Sequence, residues 1–272
     1  MNAAIQLAGL TKRFGERVAL NAISATIPTG GITGLVGPDG AGKSTLLRLL
    51  AGLLVPEAGE IRVLGLDPVR EGDALRQRLG YMPQQFGLYE DLSVQENLNL
   101  YADLRGVLEP ERSPTFERLL AFTDLARFTA RPAGKLSGGM KQKLGLACAL
   151  LGTPDVLLLD EPGVGVDPIS RRALWQMVRE LAEGGMTVLW STAYLDEAEL
   201  CDHVLLMADG EVRTSGTPAT LMGAMASRCW LLEAGELDGR ERRALLRRTL
   251  AHPAVMDGTV AGSGCVCCCT RE

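Results

Sequence analysis

The amino-terminal part of the chain combines alternating apolar positions with a short segment that is apolar throughout. The segments IQLAGL and ALNAISATI have near period-two patterning and are joined across Phe14-Gly15-Glu16, which predicts a pair of strands. Residues 32–36 form an apolar run that leads into a glycine-rich loop, and KSTLLRLLAGLL then has helical spacing. The predicted order is therefore strand, glycine loop, helix.

The middle of the chain has a different pattern. LSVQENLNLYADLRG, TFERLLAFTDLARF and SGGMKQKLGLACALLG all place apolar residues at helical spacing, and few strands are plausible among them. We expect a helical subdomain inserted at about residues 85–152.

Alternation of strands and helices returns after residue 153. VLLLD is apolar on both faces, as a central parallel strand is, Pro168 opens a helix, and TVLWST and VLLM are further buried strands. Asp209-Gly210 predicts a hairpin turn. This alternation predicts an α/β fold with a mostly parallel sheet, preceded by an antiparallel β-subdomain.

The pattern weakens from about residue 221. ERRALLRRTLA predicts one basic helix, which a glycine-rich end follows, and the chain contains no internal repeat. We therefore expect a main domain at residues 1–220 and a carboxy-terminal extension at residues 221–272.

Composition narrows the classes of protein. The chain has 272 residues, 46% hydrophobic and 22% charged, which is typical of a globular protein. Its net charge of −5 argues against a nucleic-acid partner held by overall charge. No segment has the continuous apolar length of a membrane span, no signal peptide is visible, and the scattered Cys148, Cys201 and Cys229 indicate buried thiols of a cytosolic protein.

Four further cysteines crowd into Cys265-Val266-Cys267-Cys268-Cys269. Thiolates at such spacing can bind Zn²⁺ or Cu(I). Because no partner pair or histidine lies nearby, a clipped or frame-shifted end is the favoured interpretation of this segment.

A phosphate-binding motif follows the apolar run. Residues Gly37-Pro38-Asp39-Gly40-Ala41-Gly42-Lys43-Ser44 fit G-x-x-x-x-G-K-[ST]. The glycines let backbone N–H groups point at phosphate oxygens, and the following helix adds its positive end. Lys43 is expected to reach the β- and γ-phosphates and Ser44 to place its hydroxyl on Mg²⁺.

Two adjacent carboxylates end the VLLLD strand. Asp160 is expected to hold Mg²⁺ through water, as in other P-loop enzymes. A strand end turns consecutive side chains to different sides, so Glu161 can face an attacking water as the general base.

Together with Leu136-Ser137-Gly138-Gly139-Met140, these motifs resemble the ATP-binding cassette (ABC) ATPase family over about residues 4–225. The resemblance implies a P-loop NTPase core, ATP and Mg²⁺ as ligands, and a helical subdomain between the Q-loop and Walker B. It assigns Phe14 to adenine stacking and Gln84 to the Q-loop, where it contacts Mg²⁺ or water. It also assigns residues 37–45, which include Thr45, to the Walker A loop. Asp160 and Glu161 are assigned to Walker B, and Asp167 is assigned to the D-loop.

The segment Ser137-Gly138-Gly139 matches the family's signature. Ser137 is a good N-cap, and the two glycines leave the first N–H groups of a helix uncovered. In the family this helix end binds the ATP that an opposing cassette holds. The resemblance therefore implies that this chain pairs with a second copy of itself, as a homodimer, or with a tandem mate. It also implies integral membrane permease subunits that meet Gln84 and residues 86–97, and a peripheral location on the cytoplasmic face of the inner membrane. The closer likeness is to the first cassette of tandem-cassette bacterial multidrug exporters.

One position departs from the family. The usual Ser-Thr-His reads Ser191-Thr192-Ala193 here, and the Ala193 side chain cannot donate a hydrogen bond to the γ-phosphate. We therefore expect slow hydrolysis at this site, because losing one positioned polar group near the reacting phosphate costs a factor of about 10²–10³.

Two other classes of function compete with the exporter ATPase. A soluble, non-transporter ABC protein acting on ribosomes or DNA usually carries long arms, for which the compact region before Leu136 leaves no room. The chain could also be a different P-loop enzyme, such as a GTPase or a small-molecule kinase. The LSGG segment before Walker B argues against that interpretation.

Overall fold

The computed structural model of the chain describes residues 3–85, 87–225, 229–233, 238–261 and 265–270. The chain divides into two compact units, Met1–Gly216 and Thr217–Glu272. The candidate functional residues identified above, from Phe14 to Ala193, all belong to the first unit.

An antiparallel sheet formed by three strands opens the first unit. It has the order β2-β1-β4, with β1 at Ala3–Phe14, β2 at Arg17–Pro28 and β4 at Ala58–Val63. The hairpin between β1 and β2 turns at Gly15, whose φ is 59°, and pairs Phe14 directly with Arg17. The hairpin therefore presents these two side chains next to each other.

A second sheet with six strands forms the centre of the first unit. Its order is β5-β6-β7-β3-β8-β9, and all neighbouring pairs except β8 with β9 are parallel. Its strands are β3 at Gly31–Val36, β5 at Leu79–Met82, β6 at Val156–Leu159, β7 at Thr187–Thr192, β8 at His203–Ala208 and β9 at Glu211–Gly216. The last two strands are joined at the predicted turn, where Asp209 and Gly210 have φ values of 52° and 75°.

Helices connect the strands. They are α1 at Lys43–Leu50, α2 at Gly72–Arg78, α3 at Val94–Arg105, α4 at Arg112–Phe122, α5 at Gly138–Ala149, α6 at Pro168–Glu183 and α7 at Leu195–Ala198. Between β5 and β6 the regular structure of the described residues is helical, with 3₁₀ turns at Ala126–Phe128 and Ala133–Lys135. This arrangement confirms the predicted α/β class, the antiparallel sheet at the amino terminus and the helical insertion.

Helix α1 is buried in the core that the two sheets share. Its four leucines, Leu46, Leu47, Leu49 and Leu50, are fully buried. They belong to one apolar cluster with residues of β1, such as Ile5, and of β6, such as Leu158. Burial on this scale fixes the start of α1, and with it the glycine-rich loop, against the sheet.

The second unit contains a small antiparallel sheet with the order β10-β12-β11. Its elements are α8 at Pro218–Met225, β10 at Cys229–Glu233, α9 at Gly239–Leu250, β11 at Val255–Ala261 and β12 at Cys265–Thr270. The predicted basic helix is α9, which begins with a capping box formed by Asp238 and Glu241. The strands after it were not predicted, because strand formation there depends on pairing partners more than on an alternating pattern.

The cysteines divide between described and undescribed side chains. Cys148 and Cys201 are buried free thiols, and burial raises the pKa of both, that of Cys201 to about 12. Cys229 and the cysteines of β12 are described by their backbone alone, so the hypotheses about their side chains fall outside the described residues. In the described part of the chain, no helix has both the length and the apolar character needed to cross a bilayer.

Candidate functional site

The carboxyl ends of four parallel strands meet at one edge of the central sheet. The glycine-rich loop follows β3, Asp160 follows β6, and Gln84 lies two residues after β5. Strand β7 lies between β3 and β6, and its last residue, Thr192, accepts a 3.1 Å hydrogen bond from the Gly37 N–H. In parallel α/β sheets this edge is the usual place for ligand binding.

The glycine-rich loop adopts a conformation that needs its glycines. Gly40 and Gly42 have φ values of 80° and 102°, in the left-handed region. A Cβ atom at Gly42 would lie 2.6 Å from Leu20 Cδ2 and 2.7 Å from the Ala19 carbonyl oxygen, and one at Gly37 would overlap the Met207 carbonyl oxygen. Gly42 is also the N-cap of α1 and offers no side-chain cap, so the first N–H groups of α1 remain available for an anion.

A cavity of about 490 Å³ lies over this loop. Residues predicted to bind nucleotide dominate its wall, which is formed by Phe14, Arg17, Ala19, Asp39, Gly40, Gly42, Lys43, Ser44, Thr45, Gln84 and Glu161. Three other predicted residues, Gly37, Ala41 and Asp160, are buried behind this wall. The half-exposed ring of Phe14 and the loop therefore share one space large enough for a small organic ligand.

Lys43 is the buried cation of the site. Its Nζ donates to the carbonyl oxygens of Gly37 at 2.7 Å and Pro38 at 3.1 Å, and it lies 3.0 Å from Glu161 Oε1. A lysine ammonium group has three donors, so these three acceptors satisfy it completely. Any phosphate oxygen that Lys43 contacts must replace one of them.

Asp160 lies beneath Ser44 with one carboxylate oxygen engaged and one free. Oδ1 accepts hydrogen bonds from Ser44 Oγ at 2.8 Å and from Ser191 Oγ at 3.0 Å. Oδ2 is buried and has no hydrogen-bond partner among the described residues. Burial raises the pKa of this carboxyl group, and the two hydroxyl groups oppose that rise. A buried, unpartnered carboxylate oxygen beside a serine hydroxyl is a donor set that suits a hard divalent cation such as Mg²⁺.

Glu161 points to a different side from Asp160. Its Oε2 accepts a 2.8 Å hydrogen bond from Gln84 Nε2, while Oε1 faces Lys43. Its backbone is in the left-handed region with φ at 49°, and its N–H donates to Ser191 Oγ at 2.8 Å. Strained backbone of this kind is typical of functional sites and persists only where neighbours hold it.

The signature residues and the D-loop lie away from this cavity wall. Ser137 is the N-cap of α5, and its hydroxyl accepts a 3.3 Å hydrogen bond from the Met140 N–H. Gly138 is half-buried, whereas Gly139 is buried so closely against α6 that a Cβ atom would overlap Ser170.

Asp167 of the D-loop and Ala193, which stands where the family usually has histidine, are both exposed. Asp167 is the N-cap of α6 and accepts from the N–H groups of Ile169 at 3.1 Å and Ser170 at 3.0 Å. The hydrogen bonds from Ser170 lower the pKa of Asp167. Ala193 is exposed immediately after β7.

Sequence reasoning missed three residues of the site: Arg17, Ala19 and Ser191. Arg17 left a usable signal, since it follows Phe14 across a glycine turn that pairs the two positions. Ser191 left a weaker signal as a polar residue near the end of a strand that is otherwise mostly apolar. Ala19 left none, because a single alanine in a strand carries no chemical signal in the sequence.

Comparison with known proteins identifies the family. A model described as "ABC transporter" matches residues 20–164, which is more than half of the chain. The "probable multidrug ABC transporter ATP-binding protein YbhF" of Escherichia coli (strain K12) is 59% identical over 263 residues, covering 96% of this chain but only 45% of that protein. A daunorubicin resistance ATP-binding protein of Streptomyces coeruleorubidus is 40% identical over 87% of this chain and 76% of its own length.

Solved structures of ATP-binding cassettes are also similar to this chain in their fold. An ATP-binding subunit of an ABC transporter superposes with a TM-score of 0.74 at 30% identity, covering 81% of this chain and 92% of its own. A dimeric ATP-binding cassette in a post-hydrolysis state, bound to ADP and Pi, has a TM-score of 0.70 at 29% identity, covering 78% of this chain and 98% of its own. The glycine loop, the strand-end carboxylates and these likenesses lead to one conclusion: the chain belongs to the ABC transporter family and is one of its ATP-binding cassettes.

Proposed function

We propose that this chain binds and hydrolyses ATP and thereby powers an ABC-type membrane exporter. The observation that carries the proposal is a pair of contact groups at the loop cavity, in which Ser44 is hydrogen-bonded to Asp160 while Lys43 and Gln84 both contact Glu161. Because the chain spans less than half of the YbhF protein, multidrug efflux and the transported substrate are proposed by likeness to these relatives.

The residues of the cavity have distinct proposed roles in nucleotide binding. Phe14 stacks on adenine, while the N–H groups of Gly40, Gly42 and the start of α1 bind the phosphates. Ser44, Asp160 and Gln84 hold Mg²⁺, which when bound supplies positive charge to the phosphate oxygens. The free Asp160 Oδ2 is the group that supports this assignment.

Glu161 is the proposed general base. It orients the attacking water from the side of the site opposite to Asp160. Its carboxylate is held by Lys43 and Gln84, and in this proposal a phosphate oxygen replaces Glu161, rather than a loop carbonyl, as an acceptor of Lys43. This exchange of partners links phosphate binding to the freeing of the base.

The signature end of α5 is proposed to complete the site of a second cassette. Ser137, Gly138 and Gly139 line no part of this chain's own nucleotide cavity, and neither does Asp167. A second copy of this chain or a tandem mate would present the corresponding end to the cavity described here. Nucleic acid has no part in this function.

Gln84 and the segment up to residue 97 form the proposed contact with integral membrane permease subunits. Phe86, which the prediction included, lies outside the described residues. The cassette would then sit peripherally on the cytoplasmic face of the inner membrane.

Ala193 is proposed to slow hydrolysis without weakening ATP binding. It is exposed beyond β7 and has no polar side-chain atom with which to contact a phosphate or position Glu161. Single-turnover hydrolysis by the cassette with its mate measures this effect. Ala193→His should raise the rate about 10²-fold, and no gain would remove the explanation.

A binding and assembly experiment tests the main proposal. ATP and GTP are titrated separately into the purified chain, and Glu161→Gln is sedimented with and without ATP. We expect preference for ATP, ATP-dependent pairing, and co-purification of the native protein with an integral membrane protein. Absence of ATP binding or of ATP-dependent pairing would overturn the proposal, and co-purification with ribosomes or DNA would favour a soluble ABC protein.

A further inference from the structure

We propose that Ser191 is a positioning residue that fixes both the metal-binding oxygen of Asp160 and the backbone turn of Glu161. The inference deepens the proposed function and rests on it, because it concerns the Mg²⁺ site and the base of the same cavity.

The position of Ser191 in the sheet explains why its side chain contacts both Asp160 and Glu161. It belongs to β7, which is hydrogen-bonded to β3 on one side and to β6 on the other. Its side chain is fully buried at the end of β7 nearest the site. It therefore lies between the strand that leads into the glycine loop and the strand that leads into the two carboxylates.

The Ser191 hydroxyl uses both of its hydrogen-bonding functions. Oγ donates to Asp160 Oδ1 at 3.0 Å and accepts from the Glu161 N–H at 2.8 Å. A hydroxyl has one donor, and that donor is committed to Asp160. One atom thus connects the proposed metal ligand to the proposed base.

The bond to Asp160 determines which carboxylate oxygen stays free. Ser44 and Ser191 both donate to Oδ1, which leaves Oδ2 buried without a partner among the described residues. Without Ser191, Ser44 would be the one hydroxyl left donating to Oδ1, and Ser44 is itself a proposed metal ligand. Partners that orient metal ligands in this way are worth about 10- to 100-fold in metal affinity.

The bond to Glu161 supports a strained backbone. Glu161 has φ at 49°, a conformation that costs a non-glycine residue about 1–3 kcal/mol. Its buried N–H would have no acceptor if the hydroxyl were removed. Ser191 therefore helps to keep the Glu161 side chain directed at Lys43 and Gln84.

Thr187 supplies a matched control from the other end of the same strand. It is also buried, and its Oγ1 accepts a 2.9 Å hydrogen bond from the Gly30 N–H, far from the carboxylates. Thr187→Ala removes the same kind of buried acceptor without touching the site. A general loss of stability should appear in both variants, whereas a loss of positioning should appear only at Ser191.

The experiment compares Ser191→Ala, Ser191→Thr and Thr187→Ala in the full chain with a fluorescent ATP analogue. The Mg²⁺ concentration at half-maximal Mg²⁺-dependent binding should rise about tenfold in Ser191→Ala. Nucleotide affinity in EDTA should stay within twofold of wild type. Ser191→Thr, which keeps the hydroxyl, should remain within threefold of wild type, and Thr187→Ala should not change the Mg²⁺ requirement. In steady-state assays at saturating Mg²⁺, kcat should fall in Ser191→Ala while KM for ATP is retained.

Two results overturn the inference in distinguishable ways. If wild type binds ATP with Mg²⁺ and Ser191→Ala needs no more Mg²⁺ than Thr187→Ala, Ser191 is only a structural hydroxyl. If wild type ignores ATP, the proposed function fails and this inference falls with it. Where Ser191→Ala does not fold, Ser191→Cys is used, and the same Mg²⁺ shift is expected because a thiol is a weak donor.

Discussion

Helices α1 and α5 both begin at a glycine-rich turn, yet the surroundings of their amino-terminal ends differ. At α1 the N-cap is Gly42, which offers no side-chain cap, and the buried Lys43 lies at the first position. At α5 the Ser137 hydroxyl caps the Met140 N–H, and Lys141 pairs with Glu90 at 2.6 Å. The first end combines open N–H groups with a buried cation, whereas the second caps itself.

In the proposed pair of cassettes, this difference lets each cassette supply one part of each of two ATP sites. A helix end binds a highly charged anion well when a cation stands beside it, as Lys43 does at α1. The α5 end contributes mainly its dipole and backbone. It therefore suits a phosphate that is already held elsewhere, which is what a second cassette would bring.

The largest expected effect comes from removing the cation of the α1 end. Lys43→Ala should weaken ATP binding at least ~100-fold, because a buried charge partner of the phosphates is lost. It should also lower the free energy of unfolding by about 3 kcal/mol, because Glu161 stays buried without its ion-pair partner. Calorimetric titration and urea unfolding measure the two losses.

Lys141→Ala is the matched control, since it removes a lysine from the first turns of α5. It should leave ATP affinity at the loop cavity unchanged. Equal loss of ATP affinity in both lysine variants would contradict the difference drawn between the two helix ends.

The second effect concerns the α5 end. Gly139→Ala places a methyl group against Ser170 of α6, and such overpacking costs about 1–3 kcal/mol. The displaced signature should weaken ATP-dependent pairing about tenfold or more in a Glu161→Gln background, measured by sedimentation. ATP binding by the monomer should stay within twofold of the parent.

Relief of the overlap tests whether packing is the cause. The double variant Gly139→Ala with Ser170→Gly removes the Ser170 side chain and should restore pairing. If pairing stays weak although the space has been made, the fit of Gly139 against α6 does not explain the loss.

The sequence predicted the fold well where the pattern is local. The period-two strands, the strand-loop-helix unit around Gly37 and the helical insertion all follow from short-range spacing, and the structure has them. Strand β4 was missed because most of its residues are exposed, and β5 was missed because it has only four residues, too few to show a period. Strands β11 and β12 were missed because their existence depends on pairing across the small sheet rather than on alternation.

The candidate site was predictable as far as motifs reach. Lys43, Ser44 and Glu161 came from motif spacing and Gln84 from the family resemblance, and the structure brings all four to one cavity. Hydrogen bonds between distant segments have no such spacing. The contact of Ser191 with Asp160 depends on β7 lying beside β6, which is known only once the strand order is known.

A smaller effect is expected at the rim of the α1 end. Arg17 lines the cavity beside Phe14, is exposed, and takes part in no ion pair among the described residues. Arg17→Ala should weaken ATP and ADP binding about threefold to tenfold, because the attraction between an exposed cation and the phosphates is lost. The effect should be smaller at high salt, since dissolved ions screen that attraction. Arg13→Ala on the same hairpin is the control and should change neither affinity. A loss of equal size for adenosine would mean that Arg17 contacts the nucleoside rather than the phosphates.

The smallest effect isolates the cap that distinguishes the two helix ends. Ser137→Ala removes the acceptor of the Met140 N–H and should lower the free energy of unfolding by about 1 kcal/mol, whereas Ser137→Gly should cost only a few tenths. Urea unfolding of the two variants measures the difference, and ATP affinity at the loop cavity should not change in either. Because α1 already begins at a glycine without a side-chain cap, Ser137→Gly makes the α5 end resemble the α1 end in its cap while leaving it without a buried cation. If that variant then bound nucleotide through α5 alone, open N–H groups would suffice for binding; we expect that it does not, because the charge of Lys43 is what the α5 end lacks.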